Sequence, residues 1–334
     1  MNYIDIIESI KNKSQLYPIY FLTGEEPYFI NKIVDNLTSN ILTEEEKEFN
    51  QTILYGQETN INEVINQAKQ YPFGCERRLI IVKEAQHIKK IEDLEKYLEN
   101  PQKHTILVIC YNNKSIDKRK KIVKIIKEKF CFFESKKIYL EKIPNWIINN
   151  LKEKNYQIDQ KAAYLLSNHI GNDLTKINNE INKLTLSIKN NTIINTEIIE
   201  KYVGISKDYN IFEFQDSIAK KNIFKAYNIL AYFSKNTKTH NIIPIINNLF
   251  LFFQKIIILH SLKDKSNASI SSNLKINPYF ISQYKLTAKN YSPAQVIIIL
   301  QHLKEYDLKS KGVNNNSTNQ TELLKELTYK ILHS

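Results

Sequence analysis

Apolar positions follow two different rhythms along this chain of 334 residues. Up to about residue 135, short apolar runs alternate with segments whose apolar residues recur every three or four positions. Ile19-Tyr20-Phe21-Leu22 predicts a strand, Gly24 a turn, and Pro27 the first turn of a helix, where a missing N–H costs nothing. Residues 49–54 alternate like a strand. Asn60-Ile61-Asn62-Glu63 has the spacing of a capping box, and Ile61, Val64, Ile65 and Ala68 then fall on one helical face. Leu79–Val82 and Thr105–Ile109 are continuous apolar runs, as strands buried on both faces require. A helix is expected between them at 91–99. Another is expected from Lys118 to Lys129, with Ile122, Val123, Ile125 and Ile126 inward, followed by a short strand at Cys131-Phe132-Phe133. Five strands with intervening helices predict an open α/β sandwich.

Beyond about residue 140 the strand signals stop. Helices are predicted near 143–154, 159–169, 173–187 and 195–202, and again from about 208 to the end. A polar loop at Asn314–Asn319 precedes a final helix. The fold class is therefore α/β plus all-α. The most apolar stretch, Ile242 to Leu262, carries Asn247, Asn248, Gln254, Lys255 and His260, which predicts a buried helix rather than a membrane span.

Hydrophobic residues at 42% and charged residues at 25% are ordinary for a globular protein and exclude disorder as the default. The formal charge of +12 invites a nucleic-acid partner. Abundant Lys, Asn and Ile with only 6 Gly also fit AT-rich codon usage, so charge alone decides little. Arginine occurs only at Arg77, Arg78 and Arg119, where a bidentate fork stands among lysines. Cys75, Cys110 and Cys131 show no metal-ligand spacing and suit a reducing compartment. Met1-Asn2-Tyr3-Ile4-Asp5 lacks a basic start followed by an apolar core, so a cytoplasmic location is expected.

The strand, turn and helix at 19–38 occupy the place of a phosphate loop, yet the chemistry is missing. A working loop needs G-x-x-x-x-G-K-[ST], with backbone N–H groups and a lysine closing on phosphate. Read from Gly24, the second glycine position holds Phe29, the lysine position Ile30 and the hydroxyl position Asn31. An acidic pair for Mg²⁺ is absent too: Leu79–Val82 is followed by Lys83-Glu84, and a lone Glu84 reads as a solvated loop residue. Neither G-x-S-x-G nor H-E-x-x-H occurs, and Glu44-Glu45-Glu46 reads as a solvated face. No catalytic residue, metal or cofactor is expected.

Several segments in order carry a resemblance. Tyr17 to Tyr28, Tyr71 to Leu79 and Lys114 to Lys121 are followed by Gly171-Asn172-Asp173-Leu174 and Asn179 to Leu184. Asn210 to Phe214 and Asp307 to Gly312 complete the series. Together they resemble the delta-subunit family of bacterial DNA polymerase III clamp loaders, over essentially the whole length. The resemblance implies an AAA+-like five-stranded parallel α/β domain over residues 1–138, a helical lid over 139–206 and a helical collar for oligomerisation over 207–334. It implies a non-hydrolysing subunit of the polymerase holoenzyme that binds and opens the sliding clamp (the beta subunit). The clamp is loaded on primed DNA with gamma/tau and delta-prime type subunits, and no membrane is involved.

The family inserts an apolar tip into a pocket on the clamp, and that tip maps to Pro72 and Phe73 with Tyr71 beside them. Pro72 departs from the aliphatic residue the family often has there. From the residues alone, Tyr71 and Phe73 read first as core aromatics at a strand entrance, and the resemblance turns them into a tip. Arg119, Lys120, Lys309 and Lys311 are candidate contacts to DNA or a neighbouring subunit; Arg119 and Asp117 could instead tie a loop together. An active ATPase and a stand-alone basic DNA-binding protein remain the competing readings.

Overall fold

A computed structural model describes residues 2–13, 15–112, 116–189, 192–206, 209–236, 241–315 and 317–334. Lys114 and Ser115 of the basic segment, Lys207 at the expected collar boundary and Asn316 of the polar loop lie outside the described residues. The chain divides into two compact units, Met1–Ile138 and Tyr139–Ser334.

The first unit runs α1 (Tyr3–Lys11), β1 (Ile19–Gly24), α2 (Pro27–Ile41), α3 (Glu44–Asn50), β2 (Gln51–Tyr55) and α4 (Ile61–Lys69). It continues with β3 (Arg78–Lys83), α5 (Glu95–Glu99), β4 (Thr105–Asn112), α6 (Lys121–Lys129) and β5 (Cys131–Ser135). The strands form one parallel sheet in the order β2-β3-β4-β1-β5. The continuous apolar runs follow from burial on both faces. Ile19 and Phe21 of β1, Ile80 and Val82 of β3, and Leu107 and Ile109 of β4 enter one core with α4 and α6. Tyr20 and Leu22, Leu79 and Ile81, and Ile106 and Val108 enter the opposite core with α1 and α2. Successive side chains alternate between two apolar layers, so no polar alternation appears in the sequence.

Several local expectations are corrected. Residues 49 and 50 end a helix, and the strand starts at Gln51. That helix is held by a capping box at its other end, between Thr43 and Glu46. At α4 only half of a capping box forms. Asn60 accepts from the Glu63 N–H at 3.1 Å, while the Glu63 carboxylate accepts from the Thr59 hydroxyl at 2.7 Å. The stretch at 91–99 splits into a 3₁₀ turn over Ile91–Leu94 and α5. The helix expected from Lys118 starts at Lys121, because Asp117 accepts the Arg119 N–H at 3.0 Å and its carbonyl accepts the Lys120 N–H at 3.2 Å. Ile125 of that helix is only half-buried.

The second unit comprises α7 (Ile143–Glu153), β6 (Gln157–Ile158), α8 (Gln160–Ile170), α9 (Leu174–Ser187), β7 (Ile193–Ile194), α10 (Thr196–Val203) and α11 (Ile211–Ala219). It ends with α12 (Ile223–Lys235), α13 (Ile242–Ser261), α14 (Asn267–Leu274), α15 (Ile281–Asn290), α16 (Pro293–Ser310) and α17 (Gln320–Leu332). The two-residue strands β6 and β7 pair in parallel, a feature the hydrophobic pattern did not announce. They are too short to carry a periodic signal. Helix α13 is long and apolar enough to cross a membrane by composition. Ile242, Ile245, Ile246, Leu249, Phe252, Phe253, Ile256 and Leu259 are nevertheless buried in the helical core, where α13 packs on α15, α16 and α17.

Candidate functional site

The turn after β1 lies at the carboxyl edge of the sheet, at the point where the strand order reverses. That is where open α/β folds bind phosphates. Here the turn is already filled. Gly24 has φ +132°, and a Cβ there would come within 2.0 Å of the Ser135 carbonyl oxygen, so β5 lies against the turn and leaves no room for a side chain at this position. The Glu25 N–H donates to that carbonyl at 3.2 Å, and the Glu26 N–H donates to the Ser135 hydroxyl at 3.2 Å. Residue 27 is a proline. The Tyr28 N–H donates to the carboxylate of Glu26 at 3.3 Å, and Glu26 is buried. The helix N-terminus thus holds its own anion, which satisfies its dipole and repels a second. Of the residues replacing the phosphate-loop consensus, Phe29 packs edge-on to Tyr3 at 4.9 Å, Ile30 is fully buried and Asn31 faces solvent. Among the described residues, no group of three His, Cys, Asp or Glu side chains could hold a metal ion.

At the opposite end of the sheet, the connection from α4 to β3 makes an apolar corner. Helix α4 ends at Lys69, Gln70 is extended, and Gly74 at φ +67° turns the chain toward β3. Between them Tyr71 is 74% exposed and Phe73 73% exposed, with Pro72 half-buried. The two aromatics are therefore not core residues. One flank of the corner borders an open depression of about 510 Å³ that also carries Arg77, Lys103 and His104.

The base of the corner is rigid. The Arg78 guanidinium is buried and donates to Gln67 of α4 at 2.9 Å and to Thr52 of β2 at 3.2 Å. Parallel pairing of Gln51 with Leu79 brings the end of α3 beside the corner. There the fully buried Asn50 donates its amide N–H to the Phe73 carbonyl at 2.9 Å and accepts the Phe73 N–H at 2.7 Å. Next to it Phe49 is 60% exposed, its ring centroid 5.7 Å from that of Phe73. Both residues escaped the sequence reading. The available signal was a lone aromatic in the otherwise charged and polar helix Glu44–Asn50, with no apolar neighbour to share a buried face.

The basic candidates are all engaged. Arg119 makes a bidentate pair with Asp117, at 3.0 Å through Nε and 2.8 Å through Nη2, and so ties its own loop. That hydrogen bonding pushes the Asp117 carboxyl down to about 2. Lys118 pairs with Glu134 at 2.8 Å, Lys120 with Glu92, and Lys121 with Glu95 at 3.2 Å. In the second unit Lys309 pairs with Glu305 at 2.7 Å and Lys311 with Asp307 at 2.6 Å.

Two family models match. One, described as DNA polymerase III, delta subunit, covers residues 20–136; the other, the C-terminal domain of the same subunit, covers 208–325. The chain belongs to the DNA polymerase III delta-subunit family. It is 26% identical to DNA polymerase III subunit delta of Bacillus subtilis over 318 residues, covering 92% of this chain and 91% of the relative. A probable DNA polymerase III subunit delta of Aquifex aeolicus is 23% identical over 226 residues, covering 64% and 62%. Among solved structures, the Bacillus subtilis DNA clamp loader delta protein aligns over 100% of both chains with a TM-score of 0.56 at 24% identity, which establishes a shared fold. The parallel five-stranded unit thus contains the region that matches the DNA polymerase III delta-subunit model. The aromatic corner and the filled phosphate turn both lie within the first matched region.

Proposed function

We propose that this delta-family chain binds and opens the ring-shaped sliding clamp through Tyr71, Pro72 and Phe73, without hydrolysing ATP itself. The carrying observation is a pair of aromatic side chains roughly three-quarters exposed on a backbone fixed by buried polar contacts. A side chain that water penalises, held rigidly outward, is suited to fill a partner's apolar pocket. Burying one Phe contributes about 1.5–3 kcal/mol, the size of an interface hot spot. Rigidity limits the entropy lost on docking. Opening follows if the tip binds a distorted ring interface better than a closed one.

The absence of ATP turnover is supported by the occupied amides of Glu25, Glu26 and Tyr28 and the buried Glu26 carboxylate. Sister subunits of the gamma/tau and delta-prime type would supply hydrolysis in the cytoplasm. Residues 139–206 would serve as lid and 207–334 as the collar that assembles the loader. Arg119, Lys120, Lys309 and Lys311 would reach primed DNA or a neighbour only by exchanging carboxylate partners, which exposed ion pairs worth about 0–1 kcal/mol permit.

The test is titration of purified clamp against wild type and Phe73→Ala, with ATP turnover measured on the chain alone. We expect Phe73→Ala to weaken binding about 10- to 100-fold. Turnover should stay at the no-protein background. Unchanged clamp affinity would remove the tip assignment, and turnover that disappears on mutating the turn after β1 would remove the non-hydrolysing role.

A further inference from the structure

We propose that helix α3 is part of the clamp-engaging surface: Phe49 supplies a second ring to the apolar contact, and Asn50 positions Phe73. The inference rests on the reading of the Phe73 corner as the clamp-binding tip and extends it to an element 23 residues earlier in the chain.

The two side chains do different work. Asn50 is the last residue of α3 and is fully buried, while the ring next to it in sequence points outward. Its amide nitrogen donates to the Phe73 carbonyl and also to the Glu46 carbonyl of its own helix at 3.1 Å, and its amide oxygen accepts the Phe73 N–H. This two-point pairing imitates a rung of sheet between a side chain and a peptide unit. It fixes the peptide plane of Phe73, and with it the direction in which the ring leaves the backbone. Leu, Asp or Ala at position 50 could not make both bonds. Without them the Phe73 backbone loses the two side-chain hydrogen bonds that fix it, and the neighbouring Gly74 has no Cβ to restrict its motion.

Phe49 makes the corner an area rather than a point. Its ring meets that of Phe73 at 49°, a tilted approach that leaves both outer faces open to solvent. The occupant we assign to this joint face is the apolar pocket of the clamp that receives Phe73. The rings are neighbours at 5.7 Å, so a surface that closes around Phe73 on that side meets Phe49 as well. The rest of α3 is Glu44, Glu45, Glu46, Lys47 and Glu48, so Phe49 is its only apolar member. A helix of that composition contributes little to the core and would serve to carry this ring and Asn50.

The experiment measures equilibrium clamp affinity for the full chain and for Phe49→Ala, Asn50→Ala, Phe73→Ala and the Asn50→Ala/Phe73→Ala double variant. Hydrogen exchange of the Phe73 amide is followed in the unbound forms. Phe49→Ala should weaken binding about tenfold. Asn50→Ala should weaken it similarly in the wild-type background and not at all in the Phe73→Ala background, because its effect passes through that ring. The Phe73 amide should lose protection in Asn50→Ala only. If Phe73→Ala weakens binding while Phe49→Ala and Asn50→Ala leave it unchanged, the tip stands and α3 has no part in it. An equal Asn50→Ala effect in both backgrounds would reduce Asn50 to a structural residue. Should Phe73→Ala bind like wild type, the tip reading falls and this inference falls with it. Phe49 is exposed, so its variant carries the test even if Asn50→Ala fails to fold.

Discussion

Three cysteines show how one residue type takes different chemistry from its surroundings. Cys110 lies inside β4 and Cys131 at the start of β5, and burial pushes both thiols up to about 12. A buried thiol with so little thiolate is inert. Cys75 is half-exposed, two residues beyond Phe73, with its thiol donating to the Arg77 carbonyl at 3.1 Å. A brief treatment of the native chain with iodoacetamide should therefore modify Cys75 alone, as peptide mass mapping would show. Under the proposed docking, saturating clamp should slow that reaction several-fold, because a ring seated on Tyr71 to Phe73 would cover the corner. Rapid labelling of Cys110 would show that the sheet opens far more readily than its buried strands imply. Indifference of Cys75 to the clamp would place the contact elsewhere. Arg78 and Arg119 make the same point for guanidinium groups. One is buried and braces two elements beneath the tip; the other is 90% exposed and only straps its own loop.

At the scale of elements, β1 and α2 follow the strand–turn–helix path of a phosphate-binding unit without its consensus residues. Ile30, in the place of the catalytic lysine, is fully buried in the core beneath α2. Restoring the consensus there should not restore nucleotide binding. Ile30→Lys places an unpaired ammonium among Ile33, Val34 and Leu22, a change that costs about 3–5 kcal/mol when a buried charge lacks a partner. Thermal unfolding should show a midpoint lowered by many degrees, with ATP still failing to protect the fold. A stable Ile30→Lys chain whose midpoint rises with ATP would mean that the turn can open. This degenerate turn was legible in the sequence, because a missing glycine and lysine are visible as letters. Its plug was not: Ser135 is 109 residues from Glu26 and meets it only through pairing of β1 with β5. Strands β1, β3 and β4 were legible because two-sided burial demands continuous apolar runs, whereas the edge strands β2 and β5 are only partly buried and gave shorter signals. The end of α3 was misread because Phe49 to Leu54 imitates strand alternation, whereas the Thr43–Glu46 box extends the helix to Asn50. Asn50 itself could not be found from the sequence, since its meaning lies in a loop brought alongside by the register of β2 on β3.

At the scale of the whole molecule, most charged side chains lie at the surface, and among the described residues the second unit holds one carboxylate inside. Glu213 of α11 is buried, and receives Lys161 of α8 at 2.6 Å on one oxygen and Lys225 of α12 on the other. Around it Asn277 donates to Gln160 at 3.2 Å, and Tyr164 packs edge-on against Phe280 at 4.4 Å. These contacts join α8 of the expected lid to helices of the expected collar, so the second unit should unfold as one body. Burial alone would raise the Glu213 carboxyl, but hydrogen bonds from Lys161 and Lys225 outweigh it and hold the group below the usual carboxylate range. A depressed acid binds fewer protons folded than unfolded. Its stabilisation is complete above the unfolded value, about 4.3, and is lost as pH falls through the lower folded value. Glu213→Gln keeps the shape and removes the charge. Because both lysines are partly exposed and screened, it should lower stability by about 1–3 kcal/mol at pH 7. The gap to wild type should narrow steadily below about pH 4.3 and close in strong acid. Urea unfolding of both chains at pH 7, 5, 4 and 3 reads this directly. A gap of constant size across that range would mean that Glu213 acts by packing rather than charge, and two separate transitions for residues 139–334 would mean that α8 and the collar helices are not one body.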